Sequence, residues 1–337
     1  MQLFDRKQFL SSLKGARDTL SKALELGEQL STQGYQRLHF VGCGAPNRLL
    51  AFVQYWAQGK NLDLQIRTSY SAELVHYPPP DLDQHTLVLI ASHSGTTGDT
   101  LEAARFLREK SCTTVALTQL ADSSLAQQTD FTLAYGRTDQ GYYAALMVVL
   151  AFFSSLVREQ PGWDLHEPLR DSLPALPEAL ADVMEAENEN TARIAGTLTK
   201  DRVLYLVGAG AASHVAYVFA ACILMEMQWL HAISLNASEF FHGPFETIDK
   251  DTPVIVFLDE SPNRPEAQRV ADFCRRVTPR LTVFDSADYP LRGIRPEIRP
   301  MLSPFAADAA LVRLAENLSN VRNHPLTTRR YMGKMEY

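Results

Sequence analysis

Short, fully apolar runs alternate along this chain with stretches whose apolar positions recur every three or four residues. Arg37-Leu-His-Phe-Val41, Thr86–Ala91, Thr113–Thr118 and Phe131–Tyr135 read as buried strands, and helical patterns follow at Arg48–Gln58 and Thr100–Lys110. The second half repeats the plan, with strands at Arg202–Val207, Thr252–Leu258 and Arg280–Phe284 and helices from Ala212 to about His231 and from Glu266 to Val277. Strands and helices alternating through short links predict an α/β fold with doubly wound parallel sheets. In each half the first strand runs into a Gly-x-Gly turn, Gly42-Cys-Gly44 and Gly208-Ala-Gly210, and the turns are offset by roughly 166 residues, which predicts an internal duplication. Met1–Leu30 reads as an amphipathic helix. The segment Gln160–Thr199, Glu-rich around Glu178 to Glu189, reads as a connecting helix. The expected domains are 1–159, 160–199 as connector, 200–323, and a polar, Arg-bearing tail 324–337 that either frays or folds over something anionic.

Composition narrows the class. A chain of 337 residues, 46% hydrophobic and 21% charged, has room for two ordinary globular domains. A net charge of −7 excludes a nucleic-acid partner on electrostatic grounds, because neutralising phosphates takes clustered Lys and Arg. The start carries no basic cap with an apolar run after it, so no secretory signal is expected. Gly141–Val157 is uncharged, but it is short for a bilayer and lies inside the α/β pattern, so a buried helix and no membrane span are expected. Cys43, Cys112, Cys222 and Cys274 are scattered without metal spacing, as for reduced thiols in a cytoplasmic protein, and no metal site is expected. The Gly-x-Gly turns lack the full dinucleotide fingerprint, so no nicotinamide cofactor is expected either.

Two segments carry candidate chemistry. Ser92-His-Ser94-Gly95-Thr96-Thr97-Gly98-Asp99-Thr100 links a buried strand to a helix. The hydroxyls of Ser92, Ser94 and Thr97 can converge on an anion, Gly95 lets the backbone approach, and the next helix offers unpaired amides. Asp99 and Thr100 are expected to cap that helix. The matching turn of the second half, Leu258-Asp-Glu-Ser-Pro-Asn-Arg264, has carboxylates and no hydroxyl cluster, so phosphate is expected on the first half only. The other segment runs from Glu226-Met-Gln-Trp-Leu-His231 into Ser238-Glu239-Phe-Phe-His242-Gly-Pro244. A carboxylate within an apolar helix is costly unless paired or protonated, and with a histidine after it the pair suits moving a proton on and off carbon. The plainer reading is a satisfied core Glu beside a turn histidine.

The Ser-x-Ser-Gly-x-Thr-x-Asp turn resembles the phosphosugar-binding turn of sugar isomerase (SIS) domains. Ile223-Leu-Met-Glu-Met-Gln-Trp-Leu-His231, Ser238–Glu246 and the ending His324-Pro-Leu-Thr-Thr-Arg-Arg-Tyr-Met332 with Glu336-Tyr337 resemble tandem-SIS enzymes. These are the isomerase half of glucosamine-6-phosphate synthase and, more closely, the fructosamine-6-phosphate deglycases. The resemblance covers nearly the whole chain and implies two tandem doubly wound SIS domains flanked by helices. By it Glu226 is the general base and His242 the general acid. Ser92, Ser94 and Thr97 hold phosphate, and Gly44, Ser123, Glu239 and Arg330 complete the substrate contacts. It also implies a homodimer or higher homo-oligomer in which His242 can serve a neighbour's pocket.

The first turn departs from the pattern, since Ala45 and Pro46 stand where many relatives carry hydroxyls. Lys334 lies near the position of the synthase's Schiff-base lysine but is not given that role, because a substrate already bearing a C–N bond needs no enzyme amine. The expected substrate is a small phosphosugar amine, an Amadori compound such as fructoselysine 6-phosphate, converted to glucose 6-phosphate and free amino acid without cofactors. A phosphosugar aldose–ketose isomerase and a non-catalytic sugar-phosphate sensor are the alternatives. Arg329 and Arg330 are candidates to contact a substrate carboxylate.

Overall fold

The computed structural model describes residues 3–198 and 203–336. The strand start read at Arg202, the boundary at residues 199 and 200, and Tyr337 lie outside them. The chain divides into two compact units, Lys7–Pro177 with Gly293–Ile298, and Met1–Arg6 with Glu178–Arg292 and Arg299–Tyr337.

The first unit holds five strands, β1 (Arg37–Gly42), β2 (Gln65–Tyr70), β3 (Thr86–Ala91), β4 (Thr113–Thr118) and β5 (Phe131–Ala134). They pair entirely in parallel in the order β2-β1-β3-β4-β5. The second holds β6 (Leu204–Gly208), β7 (Ala232–Asn236), β8 (Val254–Leu258) and β9 (Leu281–Asp285), parallel in the order β7-β6-β8-β9. Both are doubly wound α/β sheets. Strand order reverses between β1 and β3 in one and between β6 and β8 in the other, and ligands of open sheets bind outside the strand ends at such a reversal. The turn after β3 and the turn after β8 occupy those two places.

The central strands were legible because they are covered on both faces. Every residue of β3 and of β8 is buried, giving the continuous apolar runs of parallel sheets. The edge strands β2 and β7 were not read from the sequence. Gln65-Ile-Arg-Thr-Ser-Tyr70 is only partly buried and carries no apolar run.

Several helices differ in extent from their expected form. The helix after β1 starts at Gly44 rather than Arg48, since Gly-Ala-Pro-Asn shows no apolar period while Pro46 is tolerated in a first turn. The single amphipathic helix expected over Met1–Leu30 is two, Arg6–Ser12 and Lys14–Ser31. The single connecting helix expected over 160–199 is three, His166–Ser172, Leu176–Ala186 and Asn188–Thr197. Gly141–Leu156 is buried at every position from Tyr143 onward, and among the described residues no helix is long and apolar enough to cross a membrane.

The helices Lys14–Ser31 and Gly141–Leu156 pack against each other through Gly27. A Cβ there would lie 2.4 Å from the Phe152 carbonyl oxygen, so only a bare backbone fits. Gly27→Ala is expected to destabilise the fold by about 1–3 kcal/mol through overpacking. A lowered midpoint in thermal melting checks this, and an unchanged midpoint would show that the helices can part at no cost.

Candidate active site

Gly95 fixes the turn after β3. Its φ of +68° belongs to the left-handed region, and a Cβ would lie 2.4 Å from the Ser123 Cβ and 2.5 Å from its Oγ, so glycine is required for both conformation and space. Ser92, 3% exposed, accepts a hydrogen bond from the Gly95 N–H at 3.1 Å and shares one with the Thr97 hydroxyl at 2.9 Å. Ser94 lies exposed, accepting from the Thr96 N–H at 3.2 Å and from its hydroxyl at 3.0 Å. Ser123 supports the turn from beneath, while the Leu125 N–H donates to the Gly95 carbonyl at 2.9 Å. The structure thus brings Ser92, Thr97 and Ser123 together around Gly95, with Ser94 on the outer side. His93, to which no sequence motif points, is fixed by a 2.9 Å hydrogen bond between its Nδ1 and the Tyr135 hydroxyl.

The helix Gly98–Arg108 begins at this turn with Thr97 as its N-cap residue. Asp99 and Thr100 are therefore not the caps. Asp99 lies in the first turn, where a carboxylate still complements the helix dipole, and Thr100 is buried with its hydroxyl 3.2 Å from that of Ser71. Gly44, with φ +58°, opens the helix after β1 and has open space where a side chain would project.

In the second unit the helix expected from Ala212 to His231 is wound three ways. It is α from Ala212 to Val218, π from Phe219 to Met225, and α again over Glu226–Gln228. A π segment shifts the register of every residue beyond it and is frequent at functional sites. The helix stops because Trp229 takes a left-handed conformation, φ 53° and ψ 34°, where glycine is usual. Three contacts hold that conformation. The Trp229 ring meets His324 edge-on at 4.5 Å, the Arg330 guanidinium lies 4.2 Å above it, and Gln228 Nε2 donates to the His324 carbonyl at 2.8 Å.

Glu226 consequently faces a cleft of about 570 Å³ lined by Met225, Trp229, Leu230, His231 and the tail residues Arg329 to Met332. Its side chain is 25% exposed, and Arg329 Nη2 lies 2.9 Å from its Oε1. Burial pushes the carboxyl above the ordinary Glu range, and the opposing pull of Arg329 does not cancel this. The tail does fold over an anion, and that anion is Glu226 itself. Arg329 Nη1 is meanwhile tethered to the carbonyls of Leu326 and Thr328 at 2.8 and 3.0 Å, and the Lys334 ammonium donates to the Arg329 carbonyl.

His242 and Glu239 are placed differently. Both are exposed, at the helix Ala237–Phe240 and the turn after it, with Asn236 as N-cap and the His242 N–H donating to the Glu239 carbonyl at 3.0 Å. Neither lines the Glu226 cleft of its own chain.

The turn after β8 replaces hydroxyls with an acid. Asp259 is 1% exposed, its Oδ1 accepts from the Ser261 hydroxyl at 2.9 Å, and its Oδ2 is buried without a hydrogen-bond partner. Glu260 is neutralised by Arg299 at 2.6 Å. A buried carboxyl group therefore stands where the first half has its hydroxyl cluster.

Two parallel sheets of matching strand order, one with a turn of hydroxyls around a left-handed glycine at its reversal, define a duplicated doubly wound α/β protein. The SIS domain model matches residues 37–155 and 197–289, more than half of the chain, and the chain belongs to that family. It is 31% identical over 315 residues to a fructosamine deglycase of Bacillus subtilis (strain 168), covering 92% of this chain and 95% of the relative. It is 25% identical over 306 residues to a fructoselysine 6-phosphate deglycase of Escherichia coli (strain K12), covering 91% and 88%. A Bacillus subtilis crystal structure classed with the phosphosugar isomerases superposes with a TM-score of 0.88 at 29% identity, over 96% of this chain and 99% of that one.

Burial raises Asp259 from the usual Asp range to about 6. A carboxyl whose folded pKa exceeds its unfolded value binds more protons in the native state. Its contribution is therefore fully present below about pH 4 and is lost as the pH rises to about 6. Asp259→Asn is expected to remove that downward slope and to leave the protein more stable at pH 7 by on the order of 2 kcal/mol. Denaturant unfolding at pH 4, 5, 6 and 7 measures it, and identical slopes in the two proteins would refute the assignment.

Proposed function

We propose that this chain is a fructosamine-6-phosphate deglycase, which converts an Amadori 6-phosphate such as fructoselysine 6-phosphate, with water, to glucose 6-phosphate and the free amino acid. One observation carries the proposal. Glu226 is a carboxyl raised by burial yet still open to a cleft of sugar-phosphate dimensions, the condition for a general base on carbon near neutral pH. Similarity to deglycases along nine-tenths of the chain supports the same reading.

In the open-chain substrate, C1 carries the amine and C2 is the ketone. Glu226 takes a proton from C1, and the C1–H electrons form the C1–C2 double bond of an enaminol as the C2 oxygen gains a proton from His242. Glu226 returns its proton to C2 while the nitrogen gives up its own proton, which restores His242 and leaves the aldose imine. Water then adds at C1 and the C–N bond breaks, the amine leaving with a proton and the sugar as an aldehyde. Phosphate is assigned to Ser92, Ser94 and Thr97, and its binding energy helps order the reacting carbon. Gly44, Ser123, Glu239 and Arg330 are assigned to the rest of the substrate.

His242, exposed on its own chain, is assigned to the cleft of a second copy, and the chain is read as a homodimer or higher homo-oligomer. Met225 (47% exposed), Trp229 (38%), Tyr331 (58%) and Met332 (47%) concentrate apolar surface around the Glu226 cleft, which supports a covering partner there.

Glu226→Gln is expected to fold normally and lose roughly 10³-fold in kcat, measured by glucose 6-phosphate release from fructosamine 6-phosphates. Wild-type turnover in that variant would end the mechanism. Ser92→Ala with Ser94→Ala is expected to raise KM by roughly 10- to 100-fold, as lost hydrogen bonds to a charged group imply. Mixing inactive Glu226→Gln and His242→Ala chains is expected to restore part of the activity through hybrid sites, whereas no recovery after verified subunit exchange would place both groups in one chain.

A further inference from the structure

The cleft around Glu226 holds more positive than negative charge. Among the described residues that line it, Glu226 is the one carboxylate, while Arg329 and Arg330 are both present. Arg329 is bound in two distinct ways. Nη1 is anchored on the carbonyls of Leu326 and Thr328, both from the tail itself, and Nη2 reaches Glu226 Oε1 at 2.9 Å. The guanidinium can therefore keep its place while Nη2 changes partner. Arg330, stacked 4.2 Å above Trp229, adds a second cation at the same wall.

This arrangement works against a resting general base. A guanidinium in contact with a carboxylate lowers its basicity, and that is the direction in which Arg329 acts on Glu226. An anion that drew Nη2 away would free Glu226 with its burial-raised basicity intact. The substrate of the proposed reaction brings such an anion, because the nitrogen on the reacting carbon belongs to an amino acid and carries a carboxylate on the same fragment.

We propose that Arg329 is a specificity-determining residue that binds the carboxylate of the amino-acid portion of the substrate by trading Glu226 for it, so that the base is released only when a carboxylate-bearing amine is in place. This role presupposes the deglycase chemistry above. It supplies a selectivity that the phosphate turn cannot, since every sugar 6-phosphate satisfies that turn. A substrate phosphate is the other anion that could draw Arg329, and the experiment separates the two.

The test compares three compounds on wild type, Arg329→Gln and Arg329→Lys. They are a fructosamine 6-phosphate of an α-amino acid, the same compound made from the decarboxylated amine, and the amino-acid compound without phosphate. Wild type is expected to prefer the first over the second in kcat/KM by on the order of 100-fold, the scale of a lost charge-assisted pair in a partly buried site. Arg329→Gln is expected to bring that preference to within about threefold, and Arg329→Lys to restore part of it, since an ammonium keeps the charge without the planar fork. On the decarboxylated compound, the acidic limb of the kcat/KM profile is expected at higher pH in Arg329→Gln than in wild type. There Glu226 loses the guanidinium that contacts it, while Arg330, His231 and His324 remain in the neighbourhood.

An unchanged preference in Arg329→Gln overturns the proposal, as does an equal loss on both phosphorylated compounds. A loss confined to the comparison of phosphorylated with unphosphorylated compound assigns Arg329 to phosphate and also overturns it. Failure of wild type to release glucose 6-phosphate from either phosphorylated compound, or glucose from the third, refutes the deglycase chemistry itself, a result distinct from the others.

Discussion

A carboxylate kept three-quarters out of water, with a guanidinium for company, is the constraint around which the second unit is organised. Burial alone would drive Glu226 to protonate, and a fully buried ion pair would fix it as charged and inert. The cleft holds it between these limits. Enough apolar surface from Met225, Trp229 and Leu230 surrounds it to raise its proton affinity, and one cation keeps the charged form accessible. The side-chain geometry needed for this does not come from a regular helix. It follows from the π segment Phe219–Met225, which resets the register just before Glu226, and from the left-handed Trp229, which stops the helix three residues later. Bulky residues with positive φ cost roughly 1–3 kcal/mol, so the His324, Arg330 and Gln228 contacts from the tail are what make the stop tenable.

Duplication accounts for the two sheets, and divergence at equivalent positions accounts for their different chemistry. Each sheet reverses strand order once, and each reversal is followed by a turn that projects from a buried strand. After β3 the turn is Ser-His-Ser-Gly-Thr-Thr, built on a left-handed glycine with the Ser92 and Thr97 hydroxyls bonded to each other beside it. After β8 it opens with Asp259, which keeps one carboxylate oxygen buried and unpaired. Hydroxyls thus stand at the first turn where a buried acid stands at the second. Two copies of one scaffold, whose sheet order survives in both, carry different chemistry at equivalent turns.

Local signals were readable in the sequence, and long-range partnerships were not. The hydroxyl turn is contiguous, so its spacing alone picks out Ser92, Ser94, Gly95 and Thr97, and the fold groups Ser92 with Thr97 and Ser123 around Gly95. The capping assignment failed within that same turn. Thr97 already has the extended backbone of an N-cap, and the helix begins before Asp99. Edge strands β2 and β7 escaped because partial exposure removes the apolar run that marks a buried strand. The π winding left no trace, since Phe-Ala-Ala-Cys-Ile-Leu-Met reads equally well as α-helix.

The pairing of Glu226 with Arg329 shows most clearly where periodicity stops informing. Each residue drew notice separately, one as a misplaced acid and the other as part of a basic tail, but only folding brings the tail across the cleft. Once there, the tail does two physical jobs with three residues. His324 and Arg330 brace the aromatic ring that ends the helix, and Arg329 tunes the carboxyl that the helix presents. A segment with so many stakes in one cleft cannot change position without altering the backbone at Trp229 and the proton affinity of Glu226 together. Coupling of that kind ties the proton affinity of Glu226 to the placement of the tail.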